Sequence, residues 1–196
     1  AALADFDLDG FLDLVVANGR VARPSGQSPR EPFFTQYAEP ALLLRGKETR
    51  FEDAGLLSPE LSERALVGRG LATGDLDSDG DLDLVITAVE GPARVFANVS
   101  SHAGDWLLVE PPLPSGMTDH GATVLLHTER ETRAARANPG VSFLSSGDPA
   151  AHFGISADTN IRGLTVLWSN GLREDFPPPG RNRRKALLRG AGSPGD

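Results

Sequence analysis

An acidic segment written twice constrains this 196-residue chain more than any other feature. Asp5-Phe6-Asp7-Leu8-Asp9-Gly10-Phe11-Leu12-Asp13-Leu14-Val15 returns 70 positions later as Asp75-Leu76-Asp77-Ser78-Asp79-Gly80-Asp81-Leu82-Asp83-Leu84-Val85. Both copies carry aspartate at loop positions 1, 3, 5 and 9 and glycine at position 6. Small residues approach each copy (Ala2-Leu3-Ala4, Ala72-Thr73-Gly74), and a β-prone stretch follows each (Leu14–Ala17, Leu84–Ala88). The pattern predicts strand, acidic loop, strand, repeated.

Two carboxylates about 5 Å apart at an effective dielectric near 20 repel by roughly 3 kcal/mol, so four in one short loop call for a cation. A hard cation such as Ca²⁺ takes about 6–8 oxygens, and alternate positions of a curled loop can aim their carboxylates at one point. Glycine at position 6 lets the backbone turn, which frees the position-7 carbonyl of Phe11 or Asp81 to add a main-chain oxygen. The candidate ligands are therefore Asp5, Asp7, Asp9, Phe11 (through its carbonyl) and Asp13 in one loop, and Asp75, Asp77, Asp79, Asp81 and Asp83 in the other. Two Ca²⁺ sites are expected. An EF-hand is excluded, because its loop needs glutamate at position 12 and flanking helices, whereas Val16 and Ile86 stand there inside predicted strands. The first loop also mimics the nucleophile motif of haloacid-dehalogenase-type phosphatases, which would use Asp7 and Asp9. Phe11 stands where that family has threonine, and the only lysines are Lys47 and Lys185, so this enzyme reading is the weaker alternative.

Between the loops, Val21–Glu39 reads as a long surface insertion, Ala41–Leu44 as a strand, and Ser58-Pro59-Glu60 as the start of one short helix reaching about Leu66. Beyond the second loop, strands are expected at Arg94–Ala97, Trp106–Val109, Ala122–His127, Arg133–Ala137, Leu164–Trp168 and Lys185–Leu188. Gly- or Pro-rich turns separate them at short intervals, which favours an all-β architecture. Residues 1–103 and 104–190 are read as two domains, with 191–196 as a disordered tail. The chain begins as if in mid-domain and reads as the C-terminal fragment of a longer protein.

Charge follows the same division. Residues 1–100 hold 17 acidic and 9 basic groups, and residues 101–196 hold 10 of each. Without the nine loop aspartates, 18 acidic face 19 basic groups, so the net charge of −8 belongs to the loops. This argues against a nucleic-acid partner, and no apolar run reaches the roughly 18 residues of a membrane span. Cysteine is absent, which removes disulfides and thiolate sites.

Gly74-Asp75 followed by Asp77-Ser78-Asp79-Gly80-Asp81-Leu82-Asp83-Leu84 resembles the FG-GAP (VCBS-type) repeat. Phe51-Glu52-Asp53-Ala54-Gly55-Leu56 resembles the turn common between such repeats. In the second half, Gly121-Ala122-Thr123-Val124, His152-Phe153-Gly154-Ile155 and Val166-Leu167-Trp168-Ser169-Asn170-Gly171 resemble, in order, the blocks of the ASPIC/UnbV domain. Ser169 replaces a usual proline. Together the halves resemble the cartilage acidic protein-like family, and the missing cysteine-rich module points to a bacterial relative. The resemblance implies a partial β-propeller of calcium-binding blades over residues 1–103, then a small, transthyretin-like β-sandwich. It implies a non-catalytic recognition or adhesion module, extracellular or periplasmic, with an unidentified protein or glycan ligand. Its UnbV side implies the alternative, an accessory protein of a bacterial biosynthetic pathway.

Among the remaining residues, His102, His120, His127 and His152 lack metal-ligand spacing, and His152 is expected to order a turn. Trp106 and Trp168 are expected in core or interdomain packing. Phe33-Phe34-Thr35-Gln36-Tyr37 reads as a partner-binding aromatic patch or as a cover folded over the domain. Arg181-Asn182-Arg183-Arg184-Lys185 reads as a solvent-facing strand.

Overall fold

The computed structural model describes residues 1–22, 33–101, 104–140 and 142–195. It is all-β, with four sheets, two in each half of the chain. In the first half, strands β1 (Ala2–Ala4), β2 (Asp13–Val16), β3 (Leu42–Gly46) and β4 (Phe51–Asp53) form an antiparallel meander. β5 (Gly68–Gly74), β6 (Asp83–Ala88) and β7 (Arg94–Phe96) form a second. The sequence repeat is also a repeat of register, because Ala4 pairs with Asp13 and Gly74 pairs with Asp83. Alternating apolar side chains, including Ala2, Val15, Leu71, Leu84 and Ile86, bury one continuous core between the two meanders.

In the second half, β9 (Thr123–Thr128), β10 (Thr132–Arg136), β12 (Ile161–Leu167), β13 (Arg173–Phe176) and β15 (Ser193–Pro194) make a five-stranded sheet in the order β10-β9-β12-β13-β15. β8 (Gly104–Glu110), β11 (Ala151–Ser156) and β14 (Arg183–Ala186) make a three-stranded sheet in which β14 runs parallel to β8. The two sheets are the layers of a sandwich. Leu107, Val109, Phe153 and Ile155 from one meet Val124, Leu126, Leu164 and Val166 from the other, all nearly or fully buried. Trp168 joins this core, as expected.

Several expectations shift. The helix covers only Pro59–Ser62, because Ser58 makes no side-chain cap and Leu66 is drawn into a bridge with Glu39. The tail expected to be disordered forms β15, where Ser193 and Pro194 pair with Asp175 and Glu174. His152 lies within β11 rather than in a turn. Of the expected insertion, residues 23–32 lie outside the described residues. Beyond them Phe33 meets Phe34 edge-on with ring centroids 5.1 Å apart, and Thr35–Tyr37 forms a single 3-10 turn. β14 is exposed along its length, as a solvent-facing strand should be. Among the described residues no helix is long and apolar enough to cross a membrane.

Candidate metal centre

Each acidic loop joins the first two strands of its meander, β1 to β2 or β5 to β6. The two loops share one backbone path. Position 4 is left-handed in both (Leu8 φ 57°, Ser78 φ 68°), and so is position 6 (Gly10 and Gly80, both φ 98°). The position-6 conformation suits glycine, as the sequence requires. At position 4, Leu8 adopts it with its side chain only 1% exposed, whereas Ser78 is exposed.

Carboxylate oxygens of Asp5, Asp7 and Asp13 all lie within 4.8 Å of one another, and those of Asp75, Asp77 and Asp79 do the same. Position 5 behaves differently in the two loops. Asp79 joins its cluster, but Asp9 is turned to the cations of β3 and its following turn. Asp9 Oδ2 lies 3.0 Å from Lys47 Nζ and 3.1 Å from Arg45 Nη2, and Arg45 also pairs with Asp7. Among the described residues, no cationic side chain forms an ion pair with Asp75, Asp77 or Asp79.

The position-9 aspartates brace the loops. Asp13 Oδ2 accepts from Phe6 N–H at 2.9 Å and its Oδ1 from Gly46 N–H at 2.7 Å. Asp83 repeats this, accepting from Leu76 N–H at 2.8 Å and Asn98 N–H at 2.8 Å. One carboxylate thus ties the start of its loop to the end of a neighbouring strand, a role that periodicity alone did not reveal. Phe11 has its ring half exposed, and its N–H donates to Asp9 Oδ1 at 3.0 Å; Asp81 N–H donates likewise to Asp79 Oδ1 at 3.1 Å.

Burial sets the electrostatics. Asp5, only 3% exposed, accepts Gly10 N–H at 2.9 Å through Oδ2, while its Oδ1 has no hydrogen-bond partner among the described residues. Burial, with Asp13, Asp9 and Asp7 nearby, pushes its carboxyl up to about 7. Asp81 is pushed up to about 7 by burial and by Asp79. Burial also raises Asp7, Asp13 and Asp75. Asp9 goes the other way: burial is outweighed by the Phe11 N–H and by Lys47 and Arg45, which hold it below the ordinary carboxylate range. Each loop therefore concentrates carboxylates whose ionised forms are under-solvated and mutually repelling.

The second half presses on both loops. Arg133, from β10, donates to Gly10 O at 2.8 Å and to Gly154 O. Ser156 Oγ donates to Asp9 O at 2.9 Å. His152 Nε2 lies 3.1 Å from Gly80 O. A Cβ on Gly80 would overlap the Trp106 indole, and one on Gly154 would overlap Asp5 Oδ2, so glycine is required at both for the approach. Trp106 thus packs between the halves, whereas the roles of Arg45, Lys47, Arg133 and Ser156 had no signal in the sequence.

The chain matches the FG-GAP repeat over residues 67–94 and the ASPIC and UnbV domain over residues 116–194. It is 31% identical to cartilage acidic protein 1 of Xenopus tropicalis over 172 residues, which is 86% of this chain and 25% of that protein. To cartilage acidic protein 1 of Mus musculus it is 29% identical, covering 87% of this chain and 33% of that protein. The Homo sapiens protein of the same name is 30% identical, with 86% and 24% covered. The chain thus spans about a quarter to a third of the length of these relatives. It joins an FG-GAP repeat to an ASPIC/UnbV domain, as its sequence blocks indicate, and is similar over most of its length to cartilage acidic protein 1.

Proposed function

We propose that this chain is a calcium-stabilised, non-catalytic recognition or adhesion module that works in an extracellular or periplasmic setting. The observation that carries the reading is Asp5: a carboxylate 97% buried, with an unpartnered oxygen, beside the oxygens of Asp7 and Asp13. An under-solvated carboxylate with one oxygen unsatisfied and other carboxylates beside it is costly to ionise, and a cation removes that cost. The donors are all oxygen, which suits Ca²⁺ rather than a soft transition metal. Asp5, Asp7 and Asp13 would hold one ion and Asp75, Asp77 and Asp79 the other, with Asp9, Asp81, Asp83 and the Phe11 carbonyl at the margins of those sets. The chemistry the ion supplies is neutralisation of the carboxylates. Loop sites of extracellular modules operate at about 10⁻⁴–10⁻³ M Ca²⁺, which suits such a setting.

FG-GAP and ASPIC/UnbV are non-enzymatic in kind, and so are the names of the relatives, which supports a binding role over catalysis. The two meanders would be propeller blades pinned by their loops. The ligand class follows from the family alone and is a protein or a glycan.

Melting the protein with millimolar Ca²⁺ and after removal of divalent ions tests the calcium reading. Ions that bind only the folded state raise the melting temperature by mass action. Asp77→Ala should lower stability in Ca²⁺ and cost little without it. Coincident wild-type melts would sink the reading.

A further inference from the structure

We propose that the C-terminal half supplies positioning residues for both cation loops, so that cation binding and docking of the two halves are one coupled equilibrium. This rests on the calcium reading of the loops and deepens it. The inference comes from a correspondence between the repeats. Loop position 6 is Gly10 in one and Gly80 in the other, and both of their carbonyls are held from the C-terminal half. Arg133 Nη1 donates to Gly10 O at 2.8 Å, and His152 Nε2 lies 3.1 Å from Gly80 O.

In the second loop the held peptide group reaches into the carboxylate cluster. In the first it reaches Asp9 at the cluster's margin, while the N–H of the same Gly10 donates to Asp5 Oδ2 within it. The peptide that ends at Gly10 O has its N–H on Phe11, which donates to Asp9 Oδ1; the peptide that ends at Gly80 O has its N–H on Asp81, which donates to Asp79 Oδ1. A peptide is planar, so fixing its carbonyl fixes the direction of its N–H and of the carboxylate it holds. Arg133 and His152 are therefore one rigid unit away from the loop aspartates.

Further contacts point the same way. Ser156 Oγ donates to Asp9 O at 2.9 Å, and the missing side chain of Gly154 leaves room for buried Asp5. Trp106 lies against Gly80. His152, Gly154 and Ser156 stand at alternate positions on β11, so one strand reaches both loops. Asp148 N–H to Thr73 O at 3.0 Å and Leu71 N–H to Ser145 Oγ at 2.9 Å add docking contacts at β5, outside the loops. Linkage makes the relation reciprocal: if docking orders the loops, cations must tighten docking.

The test is calorimetric titration of the full chain, stripped of divalent ions, with Ca²⁺. Groups that orient metal ligands from outside the first coordination sphere typically change metal affinity about 10–100-fold when removed. Wild type should bind two ions. Arg133→Gln should weaken one site and His152→Leu the other, each by about tenfold or more, with two ions still bound at saturation. Arg133→Lys should recover part of the loss. Near-ultraviolet circular dichroism, dominated by the sandwich-core Trp168 and by Trp106, confirms that each variant is folded. A second readout is Tb³⁺ luminescence excited through Trp106, which lies against the second loop. His152→Leu should need about tenfold more Tb³⁺ than wild type to reach half of its emission, and equal midpoints would count against the coupling. Two wild-type sites with affinities unchanged within twofold in both variants would overturn the coupling alone. A wild type that binds no ion would overturn the calcium reading, and the coupling with it.

Discussion

Without divalent ions this protein should be more stable at pH 5 than at pH 7.5, the reverse of the usual behaviour of carboxylate-rich proteins. Asp5 drives the effect. Its carboxyl sits at about 7 in the folded chain against 3.8 for a free side chain, so between those values the folded state binds more protons than the unfolded state. Stability gained by protonation is fully present below the unfolded value and is lost as pH rises through the folded one. At 1.36 kcal/mol per unit, integration from pH 5 to pH 7.5 gives a loss of about 2.5 kcal/mol from Asp5 alone. Asp81, also at about 7, acts in the same direction. Buried His152, held at about 4 against 6.5, acts in the opposite one and returns about 2 kcal/mol over this window, so the net loss stays at about 3 kcal/mol. For a domain of this size about 3 kcal/mol corresponds to roughly 5–10 °C in melting temperature.

The assay is thermal denaturation followed by circular dichroism, on protein passed over a chelating resin so that no chelator titrates with the sample. In millimolar Ca²⁺ the slope should flatten or invert, because the ion holds the carboxylates ionised. Asp5→Asn should remove most of the slope in ion-free buffer and raise stability there at pH 7.5. An ion-free melting temperature that is level or rising from pH 5 to pH 7.5 would refute the argument that burial governs these carboxylates.

Two further outcomes separate the roles of neighbouring residues. Asp83→Ala removes the acceptor of the part-buried Leu76 and Asn98 amides, at about 1 kcal/mol for each hydrogen bond, so its loss of stability should be similar with and without Ca²⁺, unlike that of Asp77→Ala. Leu126→Ala, in the sandwich core, should cost about 2–5 kcal/mol by chemical denaturation yet leave Ca²⁺ stoichiometry unchanged in native buffer.

Much of this was legible in the sequence because it is local. The loops announce themselves by residue type and by Gly10 and Gly80, and the apolar stretches after them become β2 and β6 within a residue or so. β11, β13 and β15 were not legible. Ala151–Ser156 of β11 includes glycine and histidine and takes extended form because distant β8 accepts it, while β13 and β15 are short polar segments held by pairing along β12 and β13. The helix was over-extended for the converse reason: Leu66 is claimed by Glu39 across the chain. Within the site, the aspartates were identified by their spacing, but their division of labour was not. Whether a position-5 aspartate faces its own cluster or a lysine depends on β3, which carries Arg45 and precedes Lys47 in the first meander.

The reach of β11 to both loops has a bearing on how the chain acquires its structure. The bond from Ser156 to Asp9 closes a span of 147 residues, and that from His152 to Gly80 one of 72. Contacts of such separation form late, since the intervening chain must first give up its freedom. During synthesis from the N-terminus both meanders can pair their strands long before β11 leaves the ribosome. Until then their aspartates lack the contacts that hold the position-6 peptides. The acidic loops are thus translated before the strand that reaches them and are among the last features to be set.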